Sequence, residues 1–271
     1  MADPYLDENG VLKNKLNAST SATLSRLEDS IVSIADRRLY LDLPKHFSAD
    51  TLLEIHRRLF ERVYTWAGKP RIIDISKETK FTSPFEIGRQ LDRLFKDFPS
   101  TSDASRMDKN TFAEIMAPMF VELNNIHPFR EGNGRTQRTF FKLFAQAAGH
   151  TLVFDVVTKE RMIHASVQGA KGDVDTMKRI FHEISNPVRV AALEKVIVAL
   201  KAHYPRDWND IYLATTNKGQ TYQGKLAGKA GEDFLMQAKG EERNSLIVGK
   251  QTDLPSDAEQ YDNLVITPKL W

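Results

Sequence analysis

Two segments with apolar residues at helical spacing flank the run His127 to Arg138, HPFREGNGRTQR, and together they constrain the fold more than any other feature of the chain. Upstream, residues 110–126 place Phe112, Ile115, Met116, Met119, Phe120 and Leu123 on one helical stripe, with Pro118 expected to kink the helix or break its first half. Downstream, Phe140, Phe141, Leu143, Phe144 and Ala147 keep the same period up to Gly149, a residue suited to the left-handed position after a helix. A polar, glycine-containing turn is therefore clamped between two helices that must share a core. Clamping of this kind holds a turn in one shape, as a chemical site requires.

The clamped residues suit phosphoryl chemistry. An unperturbed imidazole titrates at about pH 6.5, so much of His127 is neutral near pH 7 and able to take a proton. Glu131 offers a carboxylate, and one carboxylate with waters and phosphate oxygens suits Mg2+. Gly132, Asn133 and Gly134 let backbone N–H groups turn toward an anion where a new helix begins. Arg135 and Arg138 are spaced to project from one helical face toward the same spot, and a guanidinium matches phosphate oxygens well. Asn-Gly and Gly-Arg also occur in ordinary polar turns; the phosphate reading rests on all the parts occurring in this order. Zinc is not expected, since the chain has no cysteine and no HExxH spacing. His46, His56, His150, His164, His182 and His203 lie in amphipathic segments and read as surface or satisfied helix residues.

The run resembles, position for position, the signature of the Fic family, HPFx(D/E)GNGRxxR. The resemblance implies transfer of AMP from ATP to a Ser, Thr or Tyr hydroxyl of a target protein, with release of pyrophosphate. It implies His127 as the general base, Glu131 as the holder of Mg2+, and Asn133 with the backbone of Gly132 and Gly134 as the lining of an anion hole. Arg135 would then contact the β-phosphate and Arg138 the γ-phosphate, while Phe129 anchors the loop. Relatives that phosphorylate or transfer phosphocholine vary within this motif, so intact Glu131 and Arg138 favour adenylylation. Two alternatives stand beside it: a nucleotide-binding scaffold without turnover, and transfer of another nucleotide or phosphate group.

Composition narrows the class. With 41% hydrophobic residues in 271, the chain can build a proper core of one or two domains. A net charge of +2, from 38 basic and 36 acidic residues, gives no basic stripe of the kind nucleic-acid binding needs. The amino-terminal MADPYLDENG lacks a charged-then-apolar leader, and no apolar run approaches the length of a membrane span, so neither a cleaved signal nor a membrane partner is expected.

Along the chain, helix signals dominate to about residue 203. One helix is expected from the N-cap Ser48 to Gly68, and others at 159–168, 173–184 and 187–203. The polar PSTSDAS at 99–105 reads as a loop. Residues 71–85, RIIDISKETKFTSPF, are β-branched around a polar turn and read as a short hairpin. In Fic proteins a flap here pairs its edge with an extended segment of the target, which on the resemblance makes Lys80, Phe81 and Thr82 flap residues. After residue 206 the pieces DIYLAT, QTYQGKL, DFLMQAK, NSLIVGK and NLVITPK turn β-rich between glycines, among them Gly219, Gly231 and Gly240. The expected architecture is thus mainly α: a helical domain over residues 1–205 with a hairpin flap, then a small all-β, OB-like domain over 206–271. Tyr212, Tyr222, Phe234 and Tyr261 are its aromatics, too few among balanced charges to suggest a nucleic-acid platform.

This order, with TKERMIHASV and EISNP closing the helical part, resembles the Bartonella effector proteins. That likeness implies a bacterial cytoplasmic origin and, after type IV secretion through a C-terminal BID domain, a host-cell cytosol destination. No BID domain is visible in these residues. Many Fic proteins also carry an inhibitory [S/T]xxxE[G/N] helix. Outside the active-site run, Glu-Asn occurs only at Glu8-Asn9, with Pro4 where Ser or Thr is required. Inhibition is therefore expected from a separate, antitoxin-like protein whose glutamate reaches Arg138.

Overall fold

The structure, a computed structural model, describes residues 3–76, 80–239, 245–260 and 262–269. The chain forms two compact units, Met1–Leu152 with Gly169–Val174, and Val153–Gln168 with Asp175–Trp271.

The first unit is helical, and local sequence sets its helix starts. Helix α1 (Ser21–Leu39) begins at Thr20, whose hydroxyl accepts from the Thr23 N–H, and α2 (Ala49–Phe60) begins at Ser48, whose hydroxyl accepts from Thr51. After Phe60 the chain leaves the helix for turns instead of continuing to Gly68 as expected. The physical reason is a backward bond, with the Gly68 N–H donating to Nδ1 of His56 at 2.7 Å. Helix α3 (Ile87–Lys96) follows, and then α4 (Thr101–Ala104), a single turn where a loop was expected. Ser100 caps α4 by accepting from the Asp103 N–H at 3.1 Å, while its own hydroxyl bonds the Asp103 carboxylate.

Helix α5 (Lys109–Ile126) starts at Asp108, whose Oδ1 accepts from Asn110 and Thr111, and runs through Pro118 without the expected break. Helix α6 (Asn133–Ala147) follows the motif turn and ends before Gly149, whose φ of +79° is left-handed. Phe60 of α2, Phe112 and Phe120 of α5, and Phe140, Phe141 and Phe144 of α6 are all buried. Each fully buried phenylalanine contributes roughly 1.5–3 kcal/mol. This core fixes the distance between α5 and α6, and so the span of the turn between them. The expected hairpin appears as a single antiparallel bridge, Ser76 to Lys80, whose tip at residues 77–79 lies outside the described residues.

Helices α7 (Lys159–Ala170), α8 (Asp175–Ile184) and α9 (Pro187–His203) match the expected segments to within a few residues. Helix then gives way to five strands, β1 (Tyr212–Thr215), β2 (Tyr222–Ala230), β3 (Asp233–Ala238), β4 (Ser245–Lys250) and β5 (Leu264–Ile266). They form one sheet in the order β1-β4-β3-β2-β5. Strands β2, β3 and β4 make an antiparallel meander, β1 pairs β4 in parallel, and β5 pairs β2 antiparallel. Tyr212, Tyr222 and Phe234 sit in this unit's own core with Met236, Ile247 and Ile266. They therefore offer no exposed stacking face; Tyr261 and Gly240 lie outside the described residues. No helix among the described residues is long and apolar enough to cross a membrane.

Candidate active site

Helix α5 delivers His127 in a left-handed conformation, φ 48° and ψ 61°, with its N–H still bonded to the Leu123 carbonyl at 3.1 Å. A non-glycine residue pays roughly 1–2 kcal/mol for this conformation, so the surroundings must hold it there. Its Nδ1 lies 3.2 Å from the Asn124 carbonyl oxygen. A carbonyl can only accept, so Nδ1 carries the hydrogen and Nε2 of the neutral ring carries the lone pair. Phe81 stacks on the imidazole with centroids 3.9 Å apart and planes 12° from parallel.

The turn after His127 is cross-braced from inside. Asn133 clasps it, since its Oδ1 accepts from the Phe129 N–H at 2.9 Å and its Nδ2 donates to the Phe129 carbonyl at 2.7 Å. The side chain of Asn133 is thus spent on the loop, and what it can offer an anion is its backbone N–H. Phe129 is buried beneath the turn against His56. Nε2 of His56 donates to the Glu131 carbonyl at 3.1 Å, because Nδ1 accepts from Gly68. Burial pushes the His56 pKa down to about 4, the charge of Arg135 acts in the same direction, and the bond to Glu131 opposes them. His56 is therefore a neutral strut at pH 7. Gly132 has φ +84°, and a Cβ there would lie 2.4 Å from Cζ of Phe60. Only glycine fits that position.

Helix α6 begins at this turn, so the N–H groups of its first residues lack intrahelical acceptors. The Glu131 carboxylate is half-exposed; its Oε1 accepts from the Gly132 N–H at 2.9 Å and lies 3.4 Å from the Arg135 guanidinium. The two motif arginines have different neighbours. Arg135 crosses to α1, pairing with Glu28 and, at 3.2 Å, with Asp29, and it lies over the Phe60 ring. Glu28 is itself buried and accepts from the Tyr64 hydroxyl. Arg138 folds back instead over Gly134, where a Cβ would come within 3.2 Å of its Nη1. Glycine at 134 thus leaves room for the guanidinium.

Of the three expected flap residues, the structure brings Phe81 to His127 and Thr82 to the end of α5 beside it. Phe81 covers its ring, and Thr82 donates its N–H to the Asn125 carbonyl at 3.1 Å; Lys80 is exposed on the bridge to Ser76. Sequence reasoning did not single out Arg71, Glu28 or Tyr64, and it placed Phe60 only in the core. Arg71 is the most connected, since its buried guanidinium donates to the carbonyls of His127, Ile73 and Thr82. An arginine opening the apolar run RIIDI was the one available signal. Among the described residues no cluster of three or more metal-ligating side chains occurs. A groove of about 740 Å3 in the second unit, between α9 and the sheet near Leu200, Tyr204, Phe234 and Val248, contains none of the motif residues. The groove's size alone does not make it the site.

Together the fold and the loop define a helical domain that presents a histidine beside the N-terminus of α6. Residues 46–145 match the Fic/DOC family, and the chain is 30% identical over 184 residues to a "Probable protein adenylyltransferase Fic" of Escherichia coli, covering 92% of it. The chain belongs to the Fic/DOC family. It is also 35% identical over 232 residues to a "Protein adenylyltransferase" of Bartonella henselae, a match over 79% of this chain but only 42% of that protein, so it spans less than half of that relative. Among solved structures, the "Type IV secretion system effector protein BepA" is similar with TM-score 0.85 and 30% identity, over 98% of this chain and 96% of the other. BepC of Bartonella tribocorum, solved with bound AMPPNP, is similar with TM-score 0.63 and 30% identity, over 68% of this chain and 96% of the other.

Proposed function

We propose that this chain transfers AMP from ATP to a hydroxyl side chain of a target protein. The carrying observation is the left-handed His127, whose Nδ1–H is committed to Asn124 and whose Nε2 lone pair is therefore the basic one. The target oxygen attacks the α-phosphorus, the bond from that phosphorus to the bridging oxygen breaks, Nε2 takes the hydroxyl proton, and pyrophosphate leaves. The backbone N–H groups at Asn133 and Gly134 meet the phosphate charge where α6 begins, while the Gly132 N–H, bonded to Glu131, would join them only by leaving that carboxylate. Arg138 takes the γ-phosphate. Arg135 reaches the β-phosphate while still neutralised by Glu28 and beside Glu131. The names of the relatives as adenylyltransferases and the AMPPNP in BepC support ATP as the donor.

Mg2+ fits Glu131. Its Oε1 is held by Gly132, while its Oε2 has no partner among the described residues and the carboxylate is half-exposed. A hard cation that keeps most of its waters needs one such oxygen. When bound, the ion would neutralise charge on the α- and β-phosphates; Glu131 holds and orients it.

Lys80, Phe81 and Thr82 would register an extended stretch of the target by main-chain pairing over His127. The likeness to BepA supports an effector acting on a host protein in the host cytosol. A separate antitoxin-like protein would restrain the enzyme through a glutamate to Arg138. For the strand-rich residues 206–271, an OB-like domain is supported by the five strands, the meander and the single parallel pair. The test is ATP labelled at the α- or the γ-position, incubated with the enzyme and a host-cell lysate. AMP transfer puts only the α-label on protein, γ-label on protein means a kinase, and no label means a scaffold. Arg138→Ala should slow α-label transfer by about 2–4 kcal/mol of transition-state stabilisation.

A further inference from the structure

A single buried guanidinium joins the two sides of the site. Arg71 is 1% exposed, and each of its hydrogen bonds goes to a backbone carbonyl oxygen. Nε donates to His127 at 2.9 Å, Nη1 to Ile73 at 2.7 Å, and Nη2 to Thr82, with Ile126 at 3.5 Å from the same nitrogen. Its own N–H donates to the Pro128 carbonyl at 2.8 Å. Ile73 and Thr82 lie on opposite arms of the flap, and Ile126, His127 and Pro128 are the last turn of α5 and the two residues beyond it. The cation also sits at the negative end of the α5 dipole and in the field of Asp74, which help stabilise a charge that makes no ion pair among the described residues.

We infer that Arg71 is a positioning residue, locking the left-handed backbone of His127 and both arms of the flap into one rigid piece so that target registration and base orientation are set together. This inference rests on the reading of His127 as the base. The nucleotide loop is braced separately, by the Asn133 clasp on Phe129 and by His56 on Glu131. Losing Arg71 should therefore uncouple flap and base from each other while sparing the anion site. The planar fork matters more than the charge: five N–H groups in one plane reach three directions, whereas an ammonium has a compact tetrahedral head.

The test is Arg71→Lys, which keeps the charge and removes the fork. Backbone hydrogen exchange should speed up jointly at residues 73–76, 80–82 and 125–127, with α2 and α6 as protected as in the parent. ATP affinity, read with a fluorescent analogue, should be unchanged, and kcat for AMP transfer should fall about 10- to 100-fold, as expected when reacting groups are misplaced by a fraction of an ångström. Exchange that rises in the flap alone, or ATP affinity lost along with turnover, would overturn the inference. If the parent transfers no AMP, the functional reading fails while the exchange data still decide whether Arg71 couples the two segments. Should Arg71→Lys not fold, Phe81→Leu removes the ring that carries the coupling to the imidazole; it should lower kcat at unchanged ATP affinity, and an unchanged kcat would count against the inference.

Discussion

The imidazole of His56 lies flat against the ring of Phe129, with centroids 3.7 Å apart and planes 12° from parallel. A histidine outside the motif thereby supports the phenylalanine inside it, and the bond from Nε2 to the Glu131 carbonyl extends that support to the loop.

This arrangement makes stability depend on pH. The folded-state pKa of His56, about 4, is below the ordinary 6.5, so the unfolded chain binds the proton more readily. Its contribution should be complete above about pH 6.5 and be lost as pH falls toward 4, amounting to something on the order of 3 kcal/mol. Urea unfolding across that window measures it. His56→Phe keeps a stacking ring but leaves the Glu131 carbonyl and the Gly68 N–H without their partner. It should be about 1–3 kcal/mol less stable at pH 7 and show a flatter pH profile; an unaltered slope would assign the titration elsewhere.

Gly132→Ala should be poorly tolerated. The left-handed φ of +84° and a Cβ placed 2.4 Å from Phe60 add two penalties, together about 2–5 kcal/mol. The shift in urea midpoint measures it, and Phe60→Leu in the same chain should restore the steric part but not the backbone part.

The helices around the motif were legible because Phe112 to Leu123 and Phe140 to Ala147 keep helical period, and most of the stripe is buried, although Ile115 and Met119 are half-buried and Ala147 is exposed while Ala145 and Ala148 take the inner positions. The end of α2 was not, because the bond that turns the chain joins His56 to Gly68 through a ring nitrogen, and no local signal marks it. The contacts the motif side chains make within the protein were not legible: Asn133 bonds Phe129, and Arg135 meets Glu28 while Arg138 lies over Gly134. Arg71 and Glu28 reach the site from residues far from it in the chain, and such contacts are written in the fold alone.

Glu28 and Asp29 both touch Arg135 and should behave very differently. The Glu28 side chain is 6% exposed between Arg135 and Tyr64, whereas that of Asp29 is 69% exposed. Glu28→Ala strands a partly buried guanidinium and a phenol and should cost about 3–5 kcal/mol, while Asp29→Ala should cost about 0–1 kcal/mol. Equal losses on chemical denaturation would show that burial does not control this pairing.

Glu131→Gln separates scaffold from ion holding. The amide oxygen can still accept from the Gly132 N–H, so stability should stay within about 0.5 kcal/mol of the parent. The Mg2+ concentration for half-maximal transfer should rise by about tenfold or more as the carboxylate charge is lost. An unshifted Mg2+ titration would remove Glu131 from the metal's surroundings.

The central claim is that Nε2 of His127 takes the proton from an incoming protein hydroxyl at the α-phosphorus of ATP. The most direct measurement is label from α-labelled ATP appearing on protein, compared between the parent and His127→Ala at saturating Mg2+, with ATP affinity measured alongside. The account predicts labelled protein in the parent, a loss of about 100- to 10,000-fold in the variant, and unchanged nucleotide binding. Labelling that persists in His127→Ala at the parental rate would contradict it.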